Sequence, residues 1–259
     1  MPYETVTLDI ADRVATLRLN RPRALNALSK LMLEEMSAAV EEASRNDTLR
    51  ALVVRGEGRA FCVGADLAYL ESIFDNPPAL DEFLALFADV LERLERFPVP
   101  TIAVAHGYAL AGGLELLLAC DLAIADEEAR IGDQHVNVGL IPGGGSTARL
   151  PRRIGAQRAL DLIYTGRWLT GREAAAWGLV LSAAPHDALN GEVEKLLAVL
   201  RPKSRKALGW VKHLVHHGQD LPIPDAAAYE RDTFVQYVTA SPDPREGVEA
   251  FRGKRQPKF

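Results

Sequence analysis

Cysteine is scarce in this chain: two residues, Cys62 and Cys120, among 259. Both lie in apolar contexts and neither belongs to a metal-ligand spacing. That excludes a disulfide framework or a zinc cluster as the organising device and points to a reducing compartment. Long hydrophobic runs are also lacking. The longest, Leu114 to Ala125, is interrupted by Glu115, Cys120 and Asp121 and is too short to span a bilayer. The opening Met1-Pro2-Tyr3-Glu4-Thr5-Val6 has no basic segment leading into an apolar core, so no secretory leader is read and a cytoplasmic location is expected. Positive charge is not in excess. Thirty basic against 35 acidic residues leave a net charge of −5, which argues against nucleic acid or an anionic membrane as a partner. No stretch rich in glycine, serine or proline divides the chain into separate halves.

What is present is an ordinary globular mixture, 48% apolar and 25% charged, in a chain long enough to bury a core without staples. Val6, Leu8 and Ile10 alternate with polar residues, Ala11-Asp12-Arg13 reads as a turn, and Val14 to Leu19 continues the extended pattern. Ser29 suits the N-cap of a helix running to about Ser44, with Leu31, Met32, Met36, Ala39, Val40 and Ala43 as its buried stripe. Further strands are read at Ala51 to Val54, Thr101 to Ala105, Leu122 to Ala125 and Leu179 to Ala183. Helices are read at about Asp81 to Phe97 and Ala111 to Cys120, and Asn76-Pro77-Pro78 is read as a loop between helices. From Ser146 onward the pattern is almost wholly helical. The expected fold class is α/β: one core over residues 1–195 and a helical C-terminal region over residues 196–259 of the same compact subunit.

Three loops stand out chemically. In Gly107-Tyr108-Ala109-Leu110-Ala111-Gly112-Gly113-Leu114-Glu115, paired glycines open a helix where backbone N–H groups are free, and an acid follows inside a run of leucines. Such a carboxylate snorkels, pairs or has a raised pKa in a cleft. Arg59 to Leu67 is a second glycine-bearing strand-to-helix junction, in which Asp66 reads equally as a helix cap. Two such junctions can aim two N–H donors at one oxygen, which is how an oxyanion hole is made. The third, Ile131 to Thr147, has the glycines of a phosphate loop but not its lysine, so nucleotide binding is rejected; Asp133 and His135 read equally as turn residues. His213, His216 and His217 are read as solvated, and neither cysteine is a nucleophile candidate.

Together these segments resemble the enoyl-CoA hydratase/isomerase (crotonase) superfamily. The likeness runs through Asn20-Arg21-Pro22, Ala24 to Leu28, Ala60 to Leu67, Pro100 to Asp121, Gly139 to Gly145, Leu150-Pro151-Arg152, Thr165-Gly166-Arg167 and Glu246 to Phe251. The resemblance implies a crotonase-like spiral of ββα repeats whose helical C-terminal region forms homotrimers, often paired into hexamers. It implies an acyl-CoA thioester as substrate and no separate cofactor, the CoA arriving with the substrate. In that picture the N–H groups of Ala65 and Gly112 form the oxyanion hole, Ala65, Asp66 and Leu67 lie along the CoA, and Arg23 lies near its phosphates. The basic ending Arg252, Lys254, Arg255 and Lys258 reads equally as neutralising those phosphates, from the same or a neighbouring subunit, or as a solubilising tail.

Glu115 falls on the first of the two glutamates used by the hydratases. The second position holds His135, so a paired-carboxylate mechanism does not carry over whole. An imidazole can still orient water or move a proton near neutral pH, which leaves hydration as the leading expectation, with Glu115 and His135 as the catalytic pair. Simple double-bond isomerisation loses its usual base. Hydrolysis of an acyl-CoA or of a C–C bond using His135 is the alternative, although the aspartate that accompanies such a histidine in the family would fall at Gly144. A non-catalytic acyl-CoA-binding relative is the third reading.

Overall fold

A computed structural model describes residues 3–259, so Met1 and Pro2, the first two residues of the opening read for a leader, lie outside it. Strand β1 (Val6–Ala11) folds back on β2 (Val14–Leu19) through Asp12 and Arg13, whose φ values of 47° and 62° give the left-handed turn that matches strand twist. Helix α1 (Lys30–Ser44) starts as expected at Ser29, whose hydroxyl accepts the Met32 N–H at 3.2 Å. Its stripe is shifted by one position at the edge: Leu31 is exposed and Leu33 is buried. Strand β3 (Ala51–Gly56) leads to α2 (Leu67–Ser72) and α3 (Pro77–Glu95). The Asn76-Pro77-Pro78 segment is therefore a helix start, not a loop. Asn76 caps the helix, and the prolines occupy first-turn positions whose N–H groups have no helical partner.

Then come β4 (Thr101–Ala105), β5 (Tyr108–Leu110), α4 (Gly112–Leu118), β6 (Leu122–Asp126) and β7 (Arg130–Gly132). They are followed by α5 (Ser146–Ile154), α6 (Ala156–Thr165), β8 (Leu169–Thr170), α7 (Gly171–Trp177) and β9 (Ser182–Ala184). The last strand begins later than its apolar run. Leu179 and Val180 are buried in the turn after α7, where their N–H groups return to the Ala174 carbonyl. The chain ends in α8 (Leu189–Leu200), α9 (Arg205–Gly218), α10 (Ile223–Ala240) and α11 (Asp243–Arg252).

The main sheet has the order β1-β2-β3-β4-β6-β9, antiparallel at β1–β2 and parallel elsewhere; β5, β7 and β8 form a small second sheet. Helices cover both faces of the main sheet, so β3 and β4 read as near-continuous apolar runs. One face packs against α1, α3 and α4 through Leu17, Leu52, Val54 and Ala103. The other packs Val53, Ile102, Val104 and Ile124 against Leu189, Val193 and Leu197 of α8.

Helices α9, α10 and α11 each bury a single side chain, respectively Lys212, Thr233 and Ala250. Helix α9 is fastened to the core by charge. Lys212 Nζ reaches the Leu94 carbonyl at 2.8 Å and Asp121 Oδ2 at 2.9 Å. The exposed histidines of this helix are less free than their sequence context suggested. His216 Nε2 lies 2.7 Å from Asp121 Oδ1, and His213 Nε2 lies 2.8 Å from the Tyr229 hydroxyl. No helix among the described residues is long and apolar enough to cross a membrane.

Candidate active site

The site forms where the chain leaving β3 meets the start of α4. Segment 61–62 pairs with the edge of β5: Phe61 N–H donates to His106 O at 2.9 Å, Cys62 N–H to Tyr108 O at 3.0 Å, and Leu110 N–H to Cys62 O at 3.0 Å. On its other side, Leu28 N–H donates to Gly64 O and Asp66 N–H to Leu28 O. Asn26, fully buried, staples the same loop by donating through Nδ2 to Glu57 O at 2.9 Å and Ala60 O at 2.8 Å. Glycine is required where α4 comes closest, since a Cβ on Gly113 would sit 2.1 Å from Cys62 O. Gly64 holds φ 96°, and a Cβ there would lie 2.9 Å from Gly112 N.

Ala111, just before α4, adopts φ 49° and ψ −117°, a strained state held by its N–H on Gly132 O at 3.0 Å. Gly112 comes close to Ala65 here: an ideal Cβ on Gly112 would lie 3.5 Å from Ala65 N. Among the described residues the backbone N–H of neither has an acceptor.

One turn into α4, Glu115 is 1% exposed. Its Oε1 accepts the Gly144 N–H at 2.8 Å and the Ser146 N–H at 3.0 Å, while no hydrogen bond engages Oε2. Gly144 permits this approach, for a Cβ there would be 2.6 Å from Oε2 and 2.3 Å from the Phe87 ring. Burial pushes the Glu115 carboxyl above the usual range and outweighs the opposing pull of the Ser146 N–H, the His135 charge and the Gly144 N–H.

His135 opens a short 3-10 turn (His135–Val138) after β7. Its Nδ1 lies 2.8 Å from Oδ1 of Asp133, which also accepts the His135 backbone N–H at 3.2 Å. Burial alone would lower the imidazole. The hydrogen bond and charge of Asp133, with the charge of Glu115, overcome this and hold it above the ordinary histidine range. Asp133 is in turn kept low by His135 in spite of its own burial. The structure therefore brings Glu115 and His135 into mutual electrostatic range and adds Asp133, which sequence reading left as a turn residue. The signal that points to it is an aspartate two residues before the histidine, directly after a buried strand, where its carboxylate needs partners.

The residues expected to contact CoA are dispersed. Arg23 is exposed on the turn before Asn26, beside Pro22, which abuts Gly58. Leu67 is exposed at the start of α2. Asp66 is already engaged: Oδ1 caps α2 through the Tyr69 N–H, and Oδ2 pairs with Arg21 at 2.9 Å. Lys254 lies with the C-terminal tail, which is tied to Arg50 at the far end of β3. Both cysteines are buried and free, and burial pushes their thiols up to about 12.

Comparison with known proteins places this geometry. The enoyl-CoA hydratase/isomerase family profile matches residues 9–259. The chain belongs to that family. A probable enoyl-CoA hydratase, echA8, of Mycobacterium tuberculosis is 35% identical across 100% of this chain and 99% of its own length. The crotonyl-CoA hydratase of Syntrophomonas wolfei is likewise 35% identical over 100% and 99%. The crystal structure of an enoyl-CoA hydratase from Bacillus anthracis superposes with a TM-score of 0.94 at 32% identity, covering 99% of each chain. This protein is thus a crotonase-type acyl-CoA enzyme with the crotonase fold.

Proposed function

We propose that this enzyme hydrates the double bond of an enoyl-CoA thioester. The observation that carries the reading is Glu115, a buried carboxyl with one oxygen fixed and one bare, in the helix that opens on the free Gly112 N–H. The N–H groups of Ala65 and Gly112 receive the thioester oxygen and stabilise the negative charge that grows on it as water adds to the β-carbon. Loss of one such donor typically costs ~3–4 kcal/mol of transition-state stabilisation. Glu115 takes a proton from the attacking water, hydroxide forms the bond to Cβ, and the imidazolium of His135 protonates Cα. Return of the proton from Glu115 to His135 closes the cycle. No cofactor is required beyond the CoA of the substrate. Arg23 and the Ala65-Asp66-Leu67 segment lie along that CoA, Lys254 reaches its phosphates from a neighbouring subunit, and the subunits assemble as a homotrimer or a dimer of trimers. Two free buried thiols support a cytoplasmic setting.

The test is turnover of crotonyl-CoA and longer enoyl-CoAs, followed by loss of conjugated absorbance. Hydration should be readily measured with at least one chain length. Intact binding of butyryl-CoA without turnover of any enoyl-CoA would overturn the reading.

The Asp133–His135 pair favours a second reading, hydrolysis of a thioester or C–C bond by histidine-activated water. The aspartate looked for at Gly144 is missing, and Asp133 supplies a carboxylate from the other side of the histidine in sequence. His135→Glu separates the two. Hydration that rises in this variant shows that the histidine had displaced that chemistry; hydration that falls assigns His135 to it.

A further inference from the structure

Asp133 is the group near the site with least explanation. It is fully buried, yet only Oδ1 is used, by the ring and the backbone N–H of His135 at 2.8 and 3.2 Å. Asp133 Oδ2 has no hydrogen-bond partner, and the fully buried Ser146 Oγ has none either. The serine hydroxyl is nonetheless close enough to favour the ionised aspartate. Ser146 also donates its backbone N–H to Glu115 Oε1 at 3.0 Å. One residue at the start of α5 thus touches both proton-handling systems. An ordinary turn-forming aspartate needs only the backbone N–H two residues on; it needs neither the ring nor a buried serine.

Building on the hydratase reading, we propose that Asp133 and Ser146 are positioning residues that turn His135 into a substitute for a second carboxylate. Asp133 fixes the ring proton on Nδ1, leaving Nε2 to exchange protons with substrate, and Ser146 fixes Asp133. Charge supplies the reason for an aspartate here. A carboxylate cycles between −1 and 0, whereas an isolated imidazole cycles between 0 and +1. Ionised Asp133 with neutral His135 carries −1, and with the imidazolium it carries 0. The pair therefore presents Glu115 and the developing enolate with the same two charge states as a glutamate. The charges acting on the ring are those of Asp133 and Glu115. Helix α6, packed on the same turn, offers the Gly166 carbonyl to Gln134 and Asn137 rather than a charge.

The test is Asp133→Asn, isosteric and uncharged, with Asp133→Ser as the second variant should the first not fold; folding is read from butyryl-CoA binding and thermal melts. With crotonyl-CoA, kcat should fall about 100-fold with KM within about twofold, and the His135 limb of the pH–rate profile should move down by about one unit. Independently of turnover, the His135 resonance in 13C-histidine-labelled protein, assigned by its loss in His135→Gln, should titrate lower in the variant by the same amount. A folded variant with an unmoved titration and unmoved limb overturns the proposal and leaves the hydratase reading intact. A wild type inactive on every enoyl-CoA overturns that reading, while the resonance still decides whether Asp133 controls His135.

Discussion

At the scale of the residue, Glu115 sits where an ionised side chain is least comfortable, and that has a thermodynamic signature. Burial raises its folded pKa above the unfolded value. The stability it contributes is complete below the unfolded pKa and is lost as pH rises through the folded pKa. Glutamine keeps the shape and an oxygen for the Gly144 and Ser146 N–H groups but never ionises. Glu115→Gln should therefore lower kcat by about 10²–10⁴-fold, while its Tm relative to wild type should rise between pH 4 and pH 8, by about 2–4 °C for each kcal/mol of lost penalty. Melts at both pH values check this, and a difference that shrinks with pH would contradict the role given to burial. Glu115 was legible in the sequence because an acid among leucines after paired glycines has few bland explanations. Asp133 was not, because the direction of a side chain two residues from its partner depends on the turn after β7, which no periodicity encodes. Asn26 escaped for a similar reason: its φ of 58° and its two carbonyl acceptors belong to tertiary contacts with residues 57–60.

At the scale of the element, long helices and strands buried on both faces were readable, and short ones were not. Helix α1 announced its cap and stripe; only its edge, Leu31 exposed and Leu33 buried, was decided by tertiary packing. Strands β5, β7 and β8 have two or three residues each and exist because they pair with one another around α4. Helix α4 is buried along its whole length, so its position is fixed by contact rather than by amphipathicity. Gly113→Ala tests that. The added Cβ meets the Cys62 carbonyl, O at 2.1 Å and C at 2.7 Å, and backbone cannot yield as a side chain does. The variant should lose about 1–3 kcal/mol of stability. It should also lose roughly 100-fold in kcat as the Gly112 and Ala65 amides are pushed apart. Gly191→Ala in α8 is the matched control. Nothing lies within 4 Å of its added Cβ, so stability should rise by about 0.5–1 kcal/mol with kcat unchanged. Thermal melts and crotonyl-CoA kinetics on both variants decide the matter.

At the scale of the whole molecule, α9, α10 and α11 leave Val211, Val215, Phe234, Val235, Val248 and Phe251 exposed. An apolar surface of this kind on an enzyme suits a subunit interface. Light scattering should give a mass about three or six times the 28.2 kDa of the chain, and Phe234→Asp on α10 should shift it toward the single chain. The arrangement bears on CoA binding. Arg255 pairs with Glu246, the Lys258 N–H donates to Glu246, and the Phe259 carbonyl accepts from Arg50, so the tail carrying Lys254 is folded onto α11 and anchored just before β3. Ala65 follows the opposite end of β3, a strand about 17–20 Å long at ~3.3 Å per residue. That separation favours the proposed role of Lys254 at a site across the interface over one at its own. Lys254→Glu should raise KM for crotonyl-CoA roughly tenfold, the loss expected when one charged phosphate contact is removed. It should leave the N-acetylcysteamine thioester, which lacks the nucleotide phosphates, unaffected. Phe234→Asp, by separating the subunits, should reproduce that selective rise in KM while Lys254 itself is intact. Equal losses on both thioesters, or a dissociated variant with wild-type KM, would remove Lys254 from the binding site.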